Sequence, residues 1–207
     1  MKKLSALLFF VAVVGLFAQG APKSIIFSEF AEKLGLPNEY STDVETLVGG
    51  EEGMVMKMKV YASKAGMRSE VELPGGMGKM TTLVQLQDQE AKVYLLNTSQ
   101  KTYTLLPGGK RSEYAPEQFQ IKDLGKEDVQ GQSCIKRAIV APDNTETIIW
   151  QSEDDQHLVK CEVTEQDNKV LMLFKNFTAG AIDPQLLLIP ADYTQGNMMQ
   201  GFMNLGQ

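Results

Sequence analysis

The chain has few of the residues from which enzyme active sites are usually built. Its 207 residues include one histidine, two cysteines and one tryptophan. The single histidine, His157, follows an acidic stretch and is expected in a solvated hairpin loop, so local motifs yield no Ser-His-Asp triad. No HExxH zinc motif, P-loop or dinucleotide-binding fingerprint occurs in the sequence. We therefore predict a protein that is not an enzyme and that uses no cofactor.

Positive charge is also scarce. The chain carries 20 Lys and Arg against 26 Asp and Glu, a formal net charge of −6. A nucleic-acid partner requires a basic face that neutralises its phosphates. The acidic balance therefore excludes nucleic acid as an expected partner, and it argues against adhesion to anionic lipid surfaces by charge.

Long apolar runs are confined to the N-terminus. Lys2 and Lys3 precede an apolar run at residues 4–17, and Ala18 and Gly20 supply small residues before a cut. This run is shorter than the roughly 20 residues that cross a bilayer, so residues 1–20 are predicted to be a secretory signal peptide. No later segment is apolar enough to span a membrane. The mature chain, residues 21–207, is predicted to be one soluble, exported domain.

The rest of the chain is patterned for strands. Residues 25–34 have helical spacing, but from Tyr40 to Phe177 apolar and polar residues alternate. Turn-forming residues interrupt this alternation, and Pro142-Asp143-Asn144 is one such hairpin signal. This predicts an α+β, mostly β fold with about ten short strands in a meander. A long antiparallel sheet twists and curls, so we expect a curved half-barrel wrapped around one or more short helices. The helix at 25–34 and the segment Leu186–Ile189, which Asp183 and Pro184 would start as a turn or short helix, are candidates to fill its concavity.

The sequence does not decide whether the two cysteines form a disulfide. An exported chain favours pairing of Cys134 with Cys161. In a plain meander, however, these residues lie two strands and therefore about 9–10 Å apart, whereas a disulfide needs Cα atoms within about 7 Å. A bulge or a short middle strand would bring them together, so Cys134 and Cys161 are a candidate structural disulfide.

Several motifs, in order, resemble those of a known superfamily. They are Gly66–Glu70, Lys92–Leu96, Lys101–Pro107, Val129–Cys134, Ile148–Trp150 and Ile182–Tyr193. Together they resemble the LolA-like (periplasmic lipoprotein-carrier-like) superfamily, and within it a family of unknown function, over about residues 40–195. The resemblance implies a curved antiparallel sheet around helices, a hydrophobic cavity and a periplasmic location. Some members of that superfamily carry lipoproteins or sense envelope stress.

Methionines recur at every second position of one predicted strand. Alternation places Met54, Met56 and Met58 on one face, and Lys57 and Lys59 on the other. Because lysines prefer solvent, the methionines are predicted to face the concave side. Methionine is flexible and polarizable, which suits a surface that accepts varied apolar partners. The predicted ligand-binding wall comprises Met54, Met56, Met58, Met67, Met80, Trp150 and Met172.

Three functions compete for this surface. In the first, an exported non-catalytic protein holds a hydrophobic or amphiphilic ligand, such as a lipid or an acyl-bearing lipoprotein. In the second, the same residues fill a packed core and the protein recognises another envelope protein through its surface or an edge strand. In the third, thioethers carry Cu(I), with help from the methionine-rich tail at 196–207. That tail is otherwise expected to be mobile or to fold over the cavity mouth.

Overall fold

The computed structural model describes residues 33–48, 54–72, 79–87, 90–106, 109–110, 116–165 and 168–196. The predicted signal peptide at 1–20, most of the helix predicted at 25–34 and nearly all of the methionine-rich tail at 196–207 lie outside these ranges. Of the predicted helix, only Lys33 and Leu34 are described, and both are helical. Within the described ranges, no helix has the length and apolar character needed to cross a bilayer.

The described residues are mostly in strands. In chain order the strands are Tyr40–Val48 (β1), Met54–Ser63 (β2), Gly66–Glu72 (β3), Lys79–Gln87 (β4), Glu90–Asn97 (β5), Thr102–Leu105 (β6), Gly109–Lys110 (β7), Gln120–Val129 (β8), Gln132–Val140 (β9), Glu146–Ser152 (β10), Leu158–Glu165 (β11), Asn168–Ala179 (β12) and Thr194–Gln195 (β13). Two 3₁₀ helices, Pro116–Gln118 and Pro184–Leu187, complete the described elements. The predicted mostly β class is confirmed, although the strands exceed the expected ten and the expected wrapping around short α-helices is not confirmed.

The chain divides into two compact units. Of the described residues, unit A comprises those between 33 and 64 and between 116 and 182, and unit B comprises those between 65 and 110 and between 183 and 196. In unit A the strands are ordered β2-β1-β12-β11-β10-β9-β8, and every pairing is antiparallel. In unit B, β3 to β6 form successive antiparallel hairpins, β7 pairs with β5, and β13 runs parallel to β6. The predicted meander therefore holds for β3–β6 and β8–β12, whereas β1 pairs out of sequence with β12.

A predicted turn joins β9 to β10 in unit A. The Asn144 N–H donates to the Ala141 carbonyl at 2.9 Å, and the Thr145 N–H donates to the Asp143 carboxylate at 3.0 Å. Asn144 has a φ of 65°, a conformation that asparagine tolerates better than most residues. The Pro142-Asp143-Asn144 signal is thus confirmed as a hairpin turn.

The segment after Asp183 covers one face of the unit B sheet. The Asp183 carboxylate accepts a hydrogen bond from the Gln185 N–H at 3.0 Å and so caps the 3₁₀ helix. Leu187 is buried against Leu83 and Leu96 of the sheet. The Gln85 side chain donates to the Leu187 carbonyl at 2.9 Å. Apolar contact and hydrogen bonds to its backbone anchor the segment, and the turn or short helix predicted from Asp183 and Pro184 is confirmed as a 3₁₀ helix.

Gly66 begins β3 in a position that only glycine fits. Its φ is 153°, and a Cβ built there would lie 2.0 Å from the Val84 carbonyl oxygen of the adjacent strand. That oxygen belongs to the backbone and cannot rotate away. Gly131 offers a matched comparison in unit A, because its φ is also positive, at 81°, yet no atom lies within 4 Å of its built Cβ.

Replacing Gly66 with alanine should therefore destabilise the chain more than the same change at Gly131. We expect Gly131→Ala to cost about 1–2 kcal/mol of unfolding free energy from backbone strain alone. Gly66→Ala should cost at least ~2 kcal/mol more, because strain and a backbone clash add. Urea denaturation followed by circular dichroism measures both values. Equal losses of unfolding free energy would contradict the close approach of Gly66 to the Val84 carbonyl oxygen.

Candidate functional site: the methionine face of unit A

The antiparallel register of unit A lines up methionines across neighbouring strands. Residues directly opposite each other in an antiparallel sheet share a face. Met56 lies opposite Thr46, Thr46 opposite Met172, and Met172 opposite Cys161. These four residues form one row across β2, β1, β12 and β11.

A second row lies beside the first. Met58 is opposite Val44, and Val44 is opposite Phe174. We call the surface formed by the two rows, Met56-Thr46-Met172-Cys161 and Met58-Val44-Phe174, the methionine face. Met54 lies two residues before Met56 on β2, opposite Val48 in the register. The structure thus brings Met56, Met58 and Met172 of the predicted wall together, with the backbone of Met54 in line.

Burial separates this face from the other side of β2. Val44, Phe174 and Cys161 are buried, and the three methionines of the two rows are partly buried. Lys57 and Lys59, which alternate with the methionines, are exposed. The side chains of β2 are therefore arranged as the alternating pattern predicts, with ammonium groups in water and thioethers on the covered side.

Thr46 interrupts the row of sulfur atoms with an unpaired hydroxyl. It is 9% exposed, and its Oγ1 has no hydrogen-bond partner among the described residues. Thr42, on the same strand, is buried as well, but its hydroxyl donates to the Lys175 carbonyl at 2.9 Å. A buried hydroxyl without a partner costs free energy and is uncommon in folded proteins. The middle of the methionine face therefore contains one polar group whose hydrogen-bonding capacity is unused by the described chain.

An aromatic pocket adjoins the methionine face at Phe174. Its lining residues are Leu36, Pro37, Tyr40, His157, Leu158, Phe174 and Phe177. Its cavity volume is about 10 Å³, which is room for about one water molecule and far too little for an acyl chain. Burial raises the pKa of Tyr40 to about 12, so its phenol stays neutral at physiological pH. This end of the face is closed and packed.

His157 belongs to this pocket, and the predicted solvated loop is wrong. The residue is buried, and its ring stacks on Phe177 with a centroid distance of 4.7 Å. Its Nδ1 contacts the Asp155 carboxylate. Burial raises the pKa of Asp155, but hydrogen bonds from Ser152 and His157 outweigh this effect and lower it. His157 therefore acts in the structure as a packed aromatic residue with an acidic partner.

Trp150 lies on the opposite face of the unit A sheet. Ile149 is opposite Cys161 and so belongs to the side of the methionine face, which places the next residue on the other side. Trp150 is buried, with Val129, Cys134 and Val159 as its packing neighbours. The ammonium of Lys160 lies 4.1 Å and that of Lys136 4.9 Å from its ring. The structure does not bring Trp150 together with the methionines.

Met67 and Met80 belong to unit B. Met67 lies opposite Val84, and Met80 lies opposite Val71. Alternation puts both on the side of the β3–β4 hairpin away from Leu83, the residue against which Leu187 packs. Within unit B these two methionines therefore share a face of their own.

The two cysteines do not form the candidate disulfide. Both are free and buried. Cys134 lies opposite Ser152 on β10, whereas Cys161 lies opposite Ile149. The odd spacing between these two β10 residues puts the thiols on opposite faces, with a strand between them. Burial raises the pKa of both thiols, which makes them poor nucleophiles.

No metal centre of the usual kind occurs in the described ranges. They contain no group of three or more His, Cys, Asp or Glu residues placed to hold a metal ion. The copper alternative also involved the methionines of the tail, which lie outside the described residues. Copper binding stays a prediction.

Gln151 ties the segment before β1 to the sheet, a role that the sequence did not signal. Its side chain is fully buried and lies on the same side of β10 as Ile149. Its amide nitrogen donates to the Leu34 carbonyl at 2.7 Å and to the Gln156 carbonyl at 2.8 Å. This side chain holds the buried Leu34 and the loop before β11 in place beside the aromatic pocket.

The fold of this chain has been seen before. An uncharacterized conserved protein from Thermus thermophilus has a similar structure, with a TM-score of 0.53 and 14% identity over 83% of this chain and 96% of that one. A putative outer membrane lipoprotein-sorting protein domain from Vibrio parahaemolyticus has a TM-score of 0.41 and 10% identity, over 76% and 94%. A LolA superfamily protein from Nitrosomonas europaea has a TM-score of 0.37 and 7% identity, over 73% and 90%. At these identities the likeness concerns the fold alone.

The sequence also matches a family. The model of a domain of unknown function (DUF4412) matches residues 47–157, slightly more than half of the chain. The chain belongs to this family. No curated protein matches it. The prediction of a family of unknown function is confirmed, and the likeness to a LolA superfamily protein extends to the fold only.

The role assigned to Gln151 can be tested by removing its amide. Gln151→Leu should lower the free energy of unfolding by about 1–3 kcal/mol, because the Leu34 and Gln156 carbonyls lose their donor. Gln120→Leu, at an exposed position on β8, is the matched control and should stay within about 0.5 kcal/mol of the parent. Urea denaturation compares the two variants. A loss no larger than that of the control would contradict the anchoring role.

Proposed function

We propose that this chain is an exported, periplasmic, non-catalytic binding protein for a hydrophobic or amphiphilic ligand, such as a lipid or the acyl chain of a lipoprotein. The observation that carries the proposal is the methionine face, where two rows of apolar side chains surround one unpaired hydroxyl. Burial of apolar ligand surface against the methionines would supply binding free energy at about 25 cal/mol per Å² before ordering costs. The Thr46 hydroxyl would pair with a polar atom of the ligand.

The closed pocket bears on how such a ligand would enter. The aromatic pocket has a volume of about 10 Å³, so an acyl chain cannot lie inside it unless its lining side chains move. Met56, Met58 and Met172 are only partly buried, and methionine changes rotamer easily. We therefore propose that the ligand binds on the methionine face by rearrangement of these methionines, rather than inside the aromatic pocket.

The same small volume favours a second function. An aromatic pocket that has no room for a ligand suits a packed interaction module that recognises another envelope protein. The two functions differ in one measurable respect. A carrier binds fatty-acid probes with an affinity that depends on the methionine face, whereas an interaction module does not bind them.

Thr46 gives the sharpest test of the carrier. Thr46→Val removes the hydroxyl but keeps the shape of the side chain. We expect the free energy of unfolding to rise by about 1 kcal/mol, because an unpaired buried group is lost. We expect affinity for a fluorescent fatty acid to fall roughly threefold to tenfold, because a hydrogen bond to the ligand is lost.

Thr42→Val is the matched control for this experiment. Its hydroxyl donates to the Lys175 carbonyl, so its removal should lower stability and leave probe affinity unchanged. Denaturant titration and fluorescence titration read the two properties separately. If Thr46→Val binds the probe as tightly as the parent, Thr46 does not contact the ligand.

The methionine wall is tested by reversing its polarity. Replacing Met54, Met56 and Met58 together with Asp should abolish probe binding, because charged carboxylates cannot be buried against an acyl chain. Replacing Lys57 and Lys59 with Asp changes the other face of the same strand and should leave binding intact. Circular dichroism must show that both variants fold. A folded triple variant that binds as the parent does would refute the wall.

A further inference from the structure

β8 is an open edge of the unit A sheet. It pairs with β9 on one side, and no described strand lies on its other side. Most of its residues are exposed, and Leu124 is 49% exposed. An edge strand presents unpaired backbone groups to any strand that can approach it.

The charges along this edge are arranged so that a second, antiparallel copy of β8 would place an opposite charge beside each of them. Between Lys122 and Glu127 the sequence reads Lys-Asp-Leu-Gly-Lys-Glu. If two copies of β8 pair antiparallel about the Leu124–Gly125 bond, Lys122 faces Glu127 of the partner's β8, and Asp123 faces Lys126. The two-fold axis repeats each pair, so four pairs of opposite charge align and no like charges face each other.

A β-bulge makes this register possible. In a regular strand, Lys122 and Glu127 would point to opposite faces because their positions differ by an odd number. The pairing of β8 with β9 shifts between Asp123 and Lys126, where β8 advances one residue more than β9. As a result Lys122 and Glu127 lie opposite Ala138 and Cys134, which share one face, and Asp123 and Lys126 both lie on the other. Each charge then meets its complement on the same side of the paired sheet.

The centre of the bulge is complementary in shape as well. In the same register the exposed Leu124 of each copy faces Gly125 of the other. Gly125 has a φ of 96°, and no atom lies within 4 Å of a Cβ built on it. The site opposite each leucine is therefore open.

A bulged, charged edge excludes most strands, because bulges break a ladder and unpaired charges repel. A second copy has the same bulge and the reversed order of charges, so it escapes both penalties. Two existing ion pairs compete: Lys126 contacts Glu153, and Lys136 lies 3.0 Å from Glu127. Dimerisation would therefore exchange existing ion pairs for new ones and add backbone hydrogen bonds. Such a contact is expected to be weak and sensitive to salt.

We propose that β8 is a self-association edge through which two copies of the chain pair antiparallel about Leu124–Gly125. The dimer is isologous and extends the unit A sheet across the two-fold axis. It is independent of the methionine face, so it holds whether or not the protein carries a ligand.

The test is sedimentation equilibrium of the full chain at low and high salt. The parent should dimerise reversibly at high micromolar concentration, and added salt should weaken this dimerisation. Lys122→Glu should weaken association about tenfold, because it replaces two attractive pairs with two repulsive ones. Lys64→Glu makes the same charge change at an exposed turn position and should leave association unchanged.

Glu127→Lys alone should also weaken association, whereas Lys122→Glu with Glu127→Lys should restore it to within about threefold of the parent. A general effect of net charge predicts a different result for Glu127→Lys alone, which makes the acidic chain less negative and would then strengthen association. A parent that stays monomeric at every concentration overturns the proposal. A dimer that is insensitive to Lys122→Glu, or that the double change does not restore, overturns it as well.

Discussion

The antiparallel pairing of β1 with both β2 and β12 is the constraint on which the methionine face depends. A shift of one residue in either pairing would turn every side chain of that strand to the other face. Glu45 stabilises the observed register from the exposed side, because its carboxylate lies 3.5 Å from the Lys57 ammonium and 2.6 Å from that of Lys175. The hydrogen bond from Lys175 is the largest of the effects that lower the pKa of Glu45. Charge pairing on one face and apolar packing on the other thus specify the same alignment.

The methionine face combines features of a core with features of a binding surface. Val44, Phe174 and Cys161 are buried as core residues are, and the aromatic pocket beside them holds no more than a water molecule. Yet the three methionines of the face are only partly covered, and the Thr46 hydroxyl has no partner among the described residues. A core selected for stability alone would carry valine at such a position, since removal of an unpaired buried hydroxyl is favourable. The Thr46 hydroxyl is therefore a feature of this face that packing among the described residues does not explain.

Local patterns predicted much of the fold. Alternation located most of the strands, the Asn144 turn joined β9 to β10, and Asp183 capped its 3₁₀ helix. These features depend on residues that are close together in the chain, so the local sequence is enough to predict them. Alternation also separated Met56 and Met58 from Lys57 and Lys59, because residue parity within one strand needs no knowledge of the neighbouring strands.

The errors came from pairings between distant residues. Whether Trp150 shares a face with the methionines depends on the register of five strands, so no local pattern could predict its face. The same register put Cys134 and Cys161 on opposite faces. His157 is buried because it stacks on Phe177 of β12, a strand that follows after another turn. Thr46 and Gln151 gave no sequence signal, since their importance lies in the presence or absence of partners across the sheet.

The proposed function requires the methionine face to bind an apolar ligand. The most direct test is native mass spectrometry of the chain purified from the exported fraction, followed by organic extraction of whatever is bound. We expect an additional mass that extraction releases as a lipid or another apolar molecule. The variant with Met54, Met56 and Met58 replaced by Asp should lack this mass. An unliganded mass that stays unchanged after incubation with envelope lipids would contradict it and would favour a packed interaction module.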